Sequence, residues 1–412
     1  MTASLYDILT ERGFVAQSTT EDMRERLQTP QTAYIGFDPT ADSLHVGSLV
    51  PIMGLAWLQR TGHRPLALVG GATALIGDPS GKSSARKMLT RDDVNANAAV
   101  IGQQIGRLVR FGDGPHDAQL LNNADWLADI SWIDILREAG PHFSVNRMLT
   151  MDSVKGRIES GGISFLEFNY MVMQAYDFMH LHRHQQCTLQ MGGQDQWGNI
   201  VMGIELARRV DSAALAGLTF PLVTKSDGGK FGKSEQGNIW LSADRTPVFE
   251  FFQFWRNVAD ADVASFLARF TFLPMEDIRR LTSVDGAALN EAKEVLAIEV
   301  TKLIHGEAAA AEAQAAAKKA FGGSGAIDGD SVPHADLPAD ELENGIGLLA
   351  LVVRAGLAKS NGEARRHVQG GAIKLFDARQ DDPTLTVTTA VVQDGMVVVR
   401  MGKKKVFRFD VV

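Results

Sequence analysis

The sequence predicts an α/β protein built on a parallel sheet, followed by a helical stretch and a small basic α+β piece. Three observations carry this. First, the apolar run TAYIGFD (32–38) is followed by helical spacing in VPIMGLAWLQRTG (50–62) and by a second apolar run, RPLALVGGAT (64–73). Strand, helix, strand within about forty residues is a βαβ unit, and such units make parallel strands. Second, from residue 245 the pattern turns helical, in TPVFEFFQFWRNV, ADVASFLARFTF and EAKEVLAIEVTKLIHG. Third, the end of the chain changes again, to two short helical patterns and then β-branched alternation in LTVTTAVV and MVVVRMG.

Each further element follows in order. Gly62 stops the first helix. CTLQMGG (187–193), ending in two glycines, and FPLVTK (220–225) are the next strand candidates. Residues 308–320 are almost pure Ala with Lys, a helix by propensity. FGGSGAIDGDSVPHADLPADELENG (321–345) is rich in Gly, Pro and Asp with little periodicity and reads as a linker. The expected organisation is a parallel-sheet domain with an insertion over 1–225, helices over 226–320, a linker over 321–345 and a C-terminal domain over 346–412. No internal repeat is present.

Composition narrows the class. At roughly 150 residues per domain, 412 residues suggest two to three domains. Apolar residues at 45% and charged residues at 22% fit a full-sized core and argue against a mostly disordered chain. No apolar run approaches the roughly eighteen residues of a membrane span. The start, MTASLYDILTERG, lacks the apolar region of a signal peptide and the Arg-rich, acid-poor character of a transit peptide. A single cysteine, Cys187, excludes an intramolecular disulfide and fits a reducing cytoplasm. Net charge is −8, but residues 345–412 carry eleven Lys/Arg against six Asp/Glu. A basic tail on an acidic body suggests that one end meets a polyanion.

Five segments carry polar residues just after predicted strands or on one helical face. In YIGFDPTADSLHVGS (34–48), a strand ends at Asp38-Pro39 and His45 with Gly47 opens a helix. Free N–H groups at such a helix start face anions, and Thr40 and His45 can donate to a phosphate. The same pattern also suits a plain strand–turn–helix junction. GGATALIGDPSGKSS (70–84) is not a Walker A loop, because Ile76 stands where the first Gly is needed. It leaves Thr73 and Asp78 at a strand exit, with Lys82 and Arg86 beyond, and a carboxylate there suits a ligand ammonium. In FNYMVMQAYDF (168–178), Tyr170, Gln174 and Asp177 stand at i, i+4 and i+7 on one face. A buried Asp needs a partner, from a ligand or from an internal network. LQMGGQDQWGN (189–199) puts amides and carboxylates after a Gly-Gly exit. DGGKFGKSEQGN (227–238) carries Lys230 and Lys233 on a Gly-rich loop, suited to a leaving polyphosphate or simply to solvent. HLHRHQQC (180–187) alternates histidines, which meet at a metal only on a strand, and its surroundings are helical. At the C-terminus KSNGEARRHVQGGAIKLF (359–376) has a capping-box start and a Gly-Gly stop. Arg365, Arg366 and Lys374, with Lys403, Lys404 and Lys405 in GKKKVFRF, suit an RNA backbone.

Together these segments resemble the bacterial-type tyrosyl-tRNA synthetases, of class I, over the whole chain. The family's HIGH signature corresponds to His45-Val46-Gly47-Ser48 and its KMSKS signature to Lys230-Phe231-Gly232-Lys233-Ser234. The flanking runs YxGFDPTADSLHxG, VGGATALIGDPSGK, HFSVN, QAYDF and GGQDQWGN are more specific than either. The resemblance implies a Rossmann-like catalytic domain, a helical connective domain and a C-terminal RNA-binding domain of the ribosomal-protein-S-four type, in a cytoplasmic homodimer. It implies activation of L-tyrosine by ATP with Mg²⁺ and transfer to tRNA(Tyr), with no tightly bound cofactor, no dedicated metal site and no membrane partner. By motif, Tyr34 and Asp177 would face the phenolic hydroxyl of tyrosine. Thr73, Asp78, Tyr170 and Gln174 would hold its ammonium, and Gln196 would lie near its carboxylate. Gly36, Asp38, Gly193 and Asp195 would surround ribose and adenosine, with Gly47 and Ser48 also on the nucleotide. Thr40, His45, Lys82, Arg86, Lys230 and Lys233 would grip the triphosphate.

Two positions depart from the family. Ser48 replaces the signature's second histidine and reaches the nucleotide differently, and Ile35 stands where Cys is common and cannot donate to ribose. Three rival readings share parts of the pattern. A tryptophan-specific synthetase would want a pocket without the Tyr34/Asp177 pair. A pantothenate-forming type of adenylylating enzyme would not need the basic tail. An RNA-binding protein with a relic catalytic fold would not need Asp78, Asp177, Lys230 and Lys233.

Overall fold

The structure is a computed structural model that describes residues 4–80, 88–224, 226, 231–234, 237–321, 332–402 and 405–412. The chain divides into two compact units, one of residues up to Leu241 with Ala261–Ser283, the other of Ser242–Asp260 with Val284–Val412.

The first unit is α/β, as predicted. Its strands are β1 (Gln17–Ser18), β2 (Thr32–Phe37), β3 (Arg64–Val69), β4 (Gln119–Asn122), β5 (Leu189–Gly193) and β6 (Ala216–Phe220). They lie in the order β1-β6-β5-β2-β3-β4. All neighbours are parallel except β1, which runs antiparallel to β6 at the edge. The helix Leu49–Arg60 makes the β2–β3 crossover and is buried almost all round, so it reads as apolar throughout. Gly54 lets it approach the sheet: a Cβ there would stand 2.5 Å from the Phe220 ring. The long helix Phe165–Gln185 starts on a capping box of Ser164 and Glu167. Phe178, Met179 and Leu181 on that helix pack with Tyr34, Leu66, Leu68, Met202 and Leu206 in one core.

Sequence and structure differ at particular places. The strand expected at 220–225 is β6 at Ala216–Phe220, because Pro221 has no N–H to continue the ladder. The sequence boundary at 225/226 places 226–283 with the helices, whereas the described residues of 226–241 and 261–283 belong to the first unit. The reason lies in side chains. Phe231 packs on Phe266 and Phe270, with ring centroids 5.0 and 5.3 Å apart. Phe272 meets Trp57 at 5.1 Å. The buried Arg12 guanidinium donates to the carbonyls of Ala268, Thr271 and Leu273 at 2.9, 3.1 and 2.6 Å and lies 4.3 Å from the Trp57 ring centre.

In the second unit, helices Val248–Arg256, Leu289–His305 and Glu307–Phe321 pack together. A five-stranded sheet follows, in the order Ala378–Gln380, Ile373–Leu375, Met396–Met401, Lys405–Val411, His334–Leu337. His334–Leu337 and the helix Ala339–Asn344 arise from the segment expected as linker. In LTVTTAVV only Thr386–Val387 is strand. The helices Leu348–Arg354 and Asn361–Gln369 cover one face of the sheet through Leu351, Val352, Val368, Ile373, Val397 and Phe409. Among the described residues no helix is long and apolar enough to cross a membrane.

Arg12 yields a stability test. Arg12→Met keeps an apolar stem over Trp57 but strands three carbonyls. It should cost about 2–4 kcal/mol, read as a lower urea midpoint followed by tryptophan fluorescence.

Candidate active site

The carboxyl ends of β2, β3 and β5 open into a cavity of about 500 Å³. This is where a parallel sheet presents ligands when its strand order turns back, here between β5 and β2. β2 supplies the floor. Its side chains alternate, so Tyr34, Gly36 and Asp38 share a face. Gly36 is the exposed position of an otherwise buried stretch, and a Cβ built on it would meet nothing within 4 Å. A hydrogen at that point leaves the cavity open.

At one end lies Tyr34, 1% exposed, its ring edge-on to Phe178 at 5.3 Å. Its hydroxyl has no hydrogen-bond partner among the described residues. Burial, and then the nearby Asp177 carboxylate, pushes its ionisation well above the ordinary range. Asp177 is itself buried and pushed up to about 7, burial outweighing the bonds it accepts. Those bonds come from Trp126 Nε1 at 2.8 Å on Oδ1 and Asn123 Nδ2 at 2.9 Å on Oδ2. Both donors are neutral, and each oxygen keeps a lone pair for a further donor.

A chain of hydrogen bonds runs from this end to the middle of the cavity. Asn123 Nδ2 also donates to Thr73 Oγ1 at 3.0 Å, and Thr73 donates to Asp38 Oδ1 at 2.8 Å. The Tyr170 hydroxyl donates to Asp38 Oδ2 at 2.8 Å. Burial first, then Asp38 and Asp78, raise the Tyr170 ionisation. Gly70 makes room, since a Cβ there would fall 2.0 Å from Asp38 Oδ1. A second chain runs beside the first. Gln196 Nε2 donates to Asp78 Oδ2 at 2.7 Å, and Asn199 Nδ2 donates to Gln174 Oε1 at 2.9 Å and Gln196 Oε1 at 3.1 Å. The Ser80 N–H donates to Asp78 Oδ1 at 2.9 Å.

The helix start at the mouth has its own order. His45 caps a single 3₁₀ turn, Val46–Ser48, and its Nδ1 accepts the Gly47 N–H at 3.0 Å. The ring proton therefore sits on Nε2, which makes that nitrogen a donor. The turn is clipped by the segment after the Gly-rich loop: Val46 N–H donates to the Ile239 carbonyl at 3.0 Å and Leu241 N–H to the Leu44 carbonyl at 2.8 Å. The edge of His45 faces the Trp240 ring, 6.2 Å between centroids.

The structure thus brings together residues that the sequence scatters over four segments. Tyr34, Gly36, Asp38, Thr40, His45 and Ser48 line the cavity, as do Thr73 and Asp78. So do Tyr170, Gln174 and Asp177 from one helical face and Gly193, Asp195 and Gln196 after β5. Gly47 is not in the lining; it holds His45. Asp38, expected beside ribose, is bonded to Thr73 and Tyr170 of the expected ammonium group. Lys82, Arg86, Lys230, Lys403 and Lys404, and the side chain of Lys233, lie outside the described residues. Arg365 and Arg366 are exposed on the helix Asn361–Gln369, which packs on one face of the C-terminal sheet. Lys374 alternates to the other face, opposite Arg379 and Arg400 on its neighbours. The expected RNA contacts are therefore divided between two faces, with Lys405 at a strand start.

Sequence reasoning missed Asn123, Trp126, Gln190, Asn199, Asn238 and Trp240. Of these, Asn123 and Trp126 had a usable signal: NNADW (122–126) is polar punctuation after an apolar run, the same strand-exit pattern that singled out Asp78. The floor gives a direct test. Gly36→Val should weaken binding of ATP or L-tyrosine in calorimetric titration by about ten- to hundredfold, the cost of overpacking. The unfolding midpoint should stay close to that of the parent, since the side chain enters open space.

Comparisons with known proteins identify the family. Residues 26–322 match the family of tRNA synthetases class I (W and Y). Residues 330–409 match the tyrosine–tRNA ligase SYY-like C-terminal domain. The tyrosine–tRNA ligase of Rhizobium meliloti is 51% identical over 401 residues, 96% of each chain. That of Clostridium botulinum is 47% identical over 411 residues, 99% of this chain and all of the other. Among solved structures, a C-terminally truncated mitochondrial tyrosyl-tRNA synthetase of Aspergillus nidulans superposes with a TM-score of 0.68 at 30% identity, over 76% of this chain and 92% of that one. The tyrosyl-tRNA synthetase of Archaeoglobus fulgidus, at 19% identity and a TM-score of 0.56, shares the fold over 75% of this chain and 99% of that one. The chain belongs to the class I tRNA synthetases of the tryptophan and tyrosine branch and, within it, to the tyrosine–tRNA ligases.

Proposed function

We propose that the chain ligates L-tyrosine to tRNA(Tyr) in two steps within this cavity. The observation that carries the reading is the buried Tyr34 hydroxyl, without a partner among the described residues, close to a carboxylate that keeps lone pairs open. A phenolic hydroxyl entering there donates to Asp177 and accepts from Tyr34. Phenylalanine would leave both groups desolvated and unpaired, a general basis for rejecting a ligand that lacks one hydroxyl. This enzyme family is the standing example of that effect. Asp78 accepts only neutral donors among the described residues, which suits the substrate ammonium, with Tyr170, Gln174 and Thr73 around it. Gln196 then lies by the carboxylate.

In the first step a tyrosine carboxylate oxygen attacks the α-phosphorus of ATP in line and the bond to the bridging oxygen breaks, releasing pyrophosphate. Position and charge do the work, without a covalent enzyme intermediate. Gly36, Gly193, Asp195 and Ser48 border ribose and base. Thr40, the His45 Nε2–H, Lys82, Arg86, Lys230 and Lys233 meet the phosphates, and Mg²⁺ enters bound to ATP. In the second step a hydroxyl of the terminal tRNA ribose attacks the tyrosyl carbonyl and AMP leaves. The C-terminal domain over 346–412, in this reading of the ribosomal-protein-S-four type, contacts the tRNA backbone through Arg365, Arg366, Lys374 and Lys403–Lys405. The site of action is cytoplasmic.

A homodimer belongs to the same reading. Eight large apolar side chains between Trp132 and Leu166 are exposed, Phe165 at 73% and Ile133 at 65% among them. The Trp132 and Phe165 rings among them meet edge-on at 6.3 Å; exposed apolar groups in that number suit an interface, which a second copy covers symmetrically.

Two measurements test the proposal. ATP–pyrophosphate exchange with each of the twenty amino acids should be fastest with tyrosine by orders of magnitude, with phenylalanine measurable only at high concentration; a comparable response to tryptophan would overturn the assignment. In the same assay Tyr34→Phe should lower kcat/KM for tyrosine roughly tenfold, the worth of one buried hydrogen bond, and raise that for phenylalanine, which no longer leaves this hydroxyl unpaired. For the dimer, Phe165→Asp should shift sedimentation from dimer towards monomer.

A further inference from the structure

The run HLHRHQQC keeps a meaning that the metal reading does not supply. His182 serves the helix end, its Nδ1 3.0 Å from the Cys187 carbonyl. His180 and His184 do something else. The indole of Trp126 stacks on the His180 ring, centroids 4.2 Å apart and planes 13° from parallel. His180 stacks in turn on His184, at 4.1 Å and 23°. The spacing makes this possible, because residues four apart on a helix are neighbours on one face. The outer ring is pinned, since the carbonyl of His180 can only accept and so receives the His184 Nδ1–H at 2.9 Å. Arg183, between the two, is engaged by Asp211 at 2.8 Å and Glu138 at 2.7 Å rather than by the rings. The inner end of the column is the indole Nε1–H, 2.8 Å from Asp177 Oδ1. An indole has one donor, fixed in the ring plane, so a tilt of that plane carries the N–H off the carboxylate.

We propose that His180, backed by His184, is a positioning residue for tyrosine selection: its ring fixes the plane of Trp126, and through the indole N–H it fixes which lone pairs of Asp177 remain for the phenolic hydroxyl. This rests on the reading that Asp177 receives that hydroxyl. The role is indirect, because neither imidazole borders the cavity. It is selective, because a substrate without the hydroxyl makes no use of the oriented carboxylate. Losing a stacked aromatic contact should cost about two- to tenfold.

The test uses the full-length protein and ATP–pyrophosphate exchange with tyrosine and with phenylalanine, in His180→Ala, His180→Phe, His184→Ala and Tyr34→Phe. His180→Ala should lower kcat/KM for tyrosine about two- to tenfold, leave phenylalanine unaltered and leave the KM for ATP unchanged. His180→Phe, which restores a flat ring, should recover the tyrosine value. His184→Ala, at an exposed position that threatens no folding, should give a smaller fall in the same direction. Equal losses for both amino acids, or failure of His180→Phe to recover, would assign the effect to packing and overturn the proposal. An unchanged tyrosine-to-phenylalanine ratio in both histidine-to-alanine variants, with a collapsed ratio in Tyr34→Phe, overturns the role of His180 alone. An unchanged ratio in all of them overturns the pocket reading beneath it as well.

Discussion

Burying the carboxylate of Asp177 is the constraint from which the rest of the cavity follows. An isolated buried charge is costly unless it is hydrogen-bonded, and its described donors are two neutral groups from one strand exit. Asn123 is fully committed there: its amide nitrogen serves Asp177 and Thr73, while its oxygen accepts the Ala72 N–H. One side chain thus ties the β3 exit, the β4 exit and the helix Phe165–Gln185 to each other. Positions of the more distant groups, Asp38 and Tyr170, follow from the same chain of bonds. In the proposed function a substrate hydroxyl meets a framework already in place, which is how buried polar sites gain selectivity.

The C-terminal unit uses alternation for a different end. One face of its sheet is closed by two helices over an apolar core, and the other carries Lys374 opposite Arg379 and Arg400. Val398 and Val406 on that second face pack with Phe249, Ala316 and Val332. The cations therefore stand beside an internal seam of the unit, while Arg365 and Arg366 stand on the helical side.

Much of this was legible in the sequence, for physical reasons. The β2–helix–β3 unit showed because fully buried strands and an all-round buried helix are dense in apolar residues. Tyr170, Gln174 and Asp177 showed because helical periodicity puts them on one face. Other features leave no such trace. β1 has two residues and β4 four half-exposed ones, too short for a period. For Asn123 and Trp126 the run NNADW marks a strand exit, but their partner Asp177 lies more than fifty residues away, which local pattern does not encode. His334–Leu337 is a strand only because Lys405–Val411 lies beside it in parallel, so its Pro- and Asp-rich surroundings read as linker. The assignment of 261–283 failed for the same reason: its helices look alike whichever unit receives them, and the deciding group, Arg12, lies some 250 residues away.

β1 has a consequence for biosynthesis. Its partners, Leu218 and Thr219, lie about two hundred positions downstream, so at roughly 5–20 residues per second the ribosome keeps them apart for roughly 10–40 s. During that interval the N-terminal segment has nothing to pair with. A strand of two residues is a poor template for stray chains, and its brevity lets the nascent polypeptide wait without recruiting neighbours.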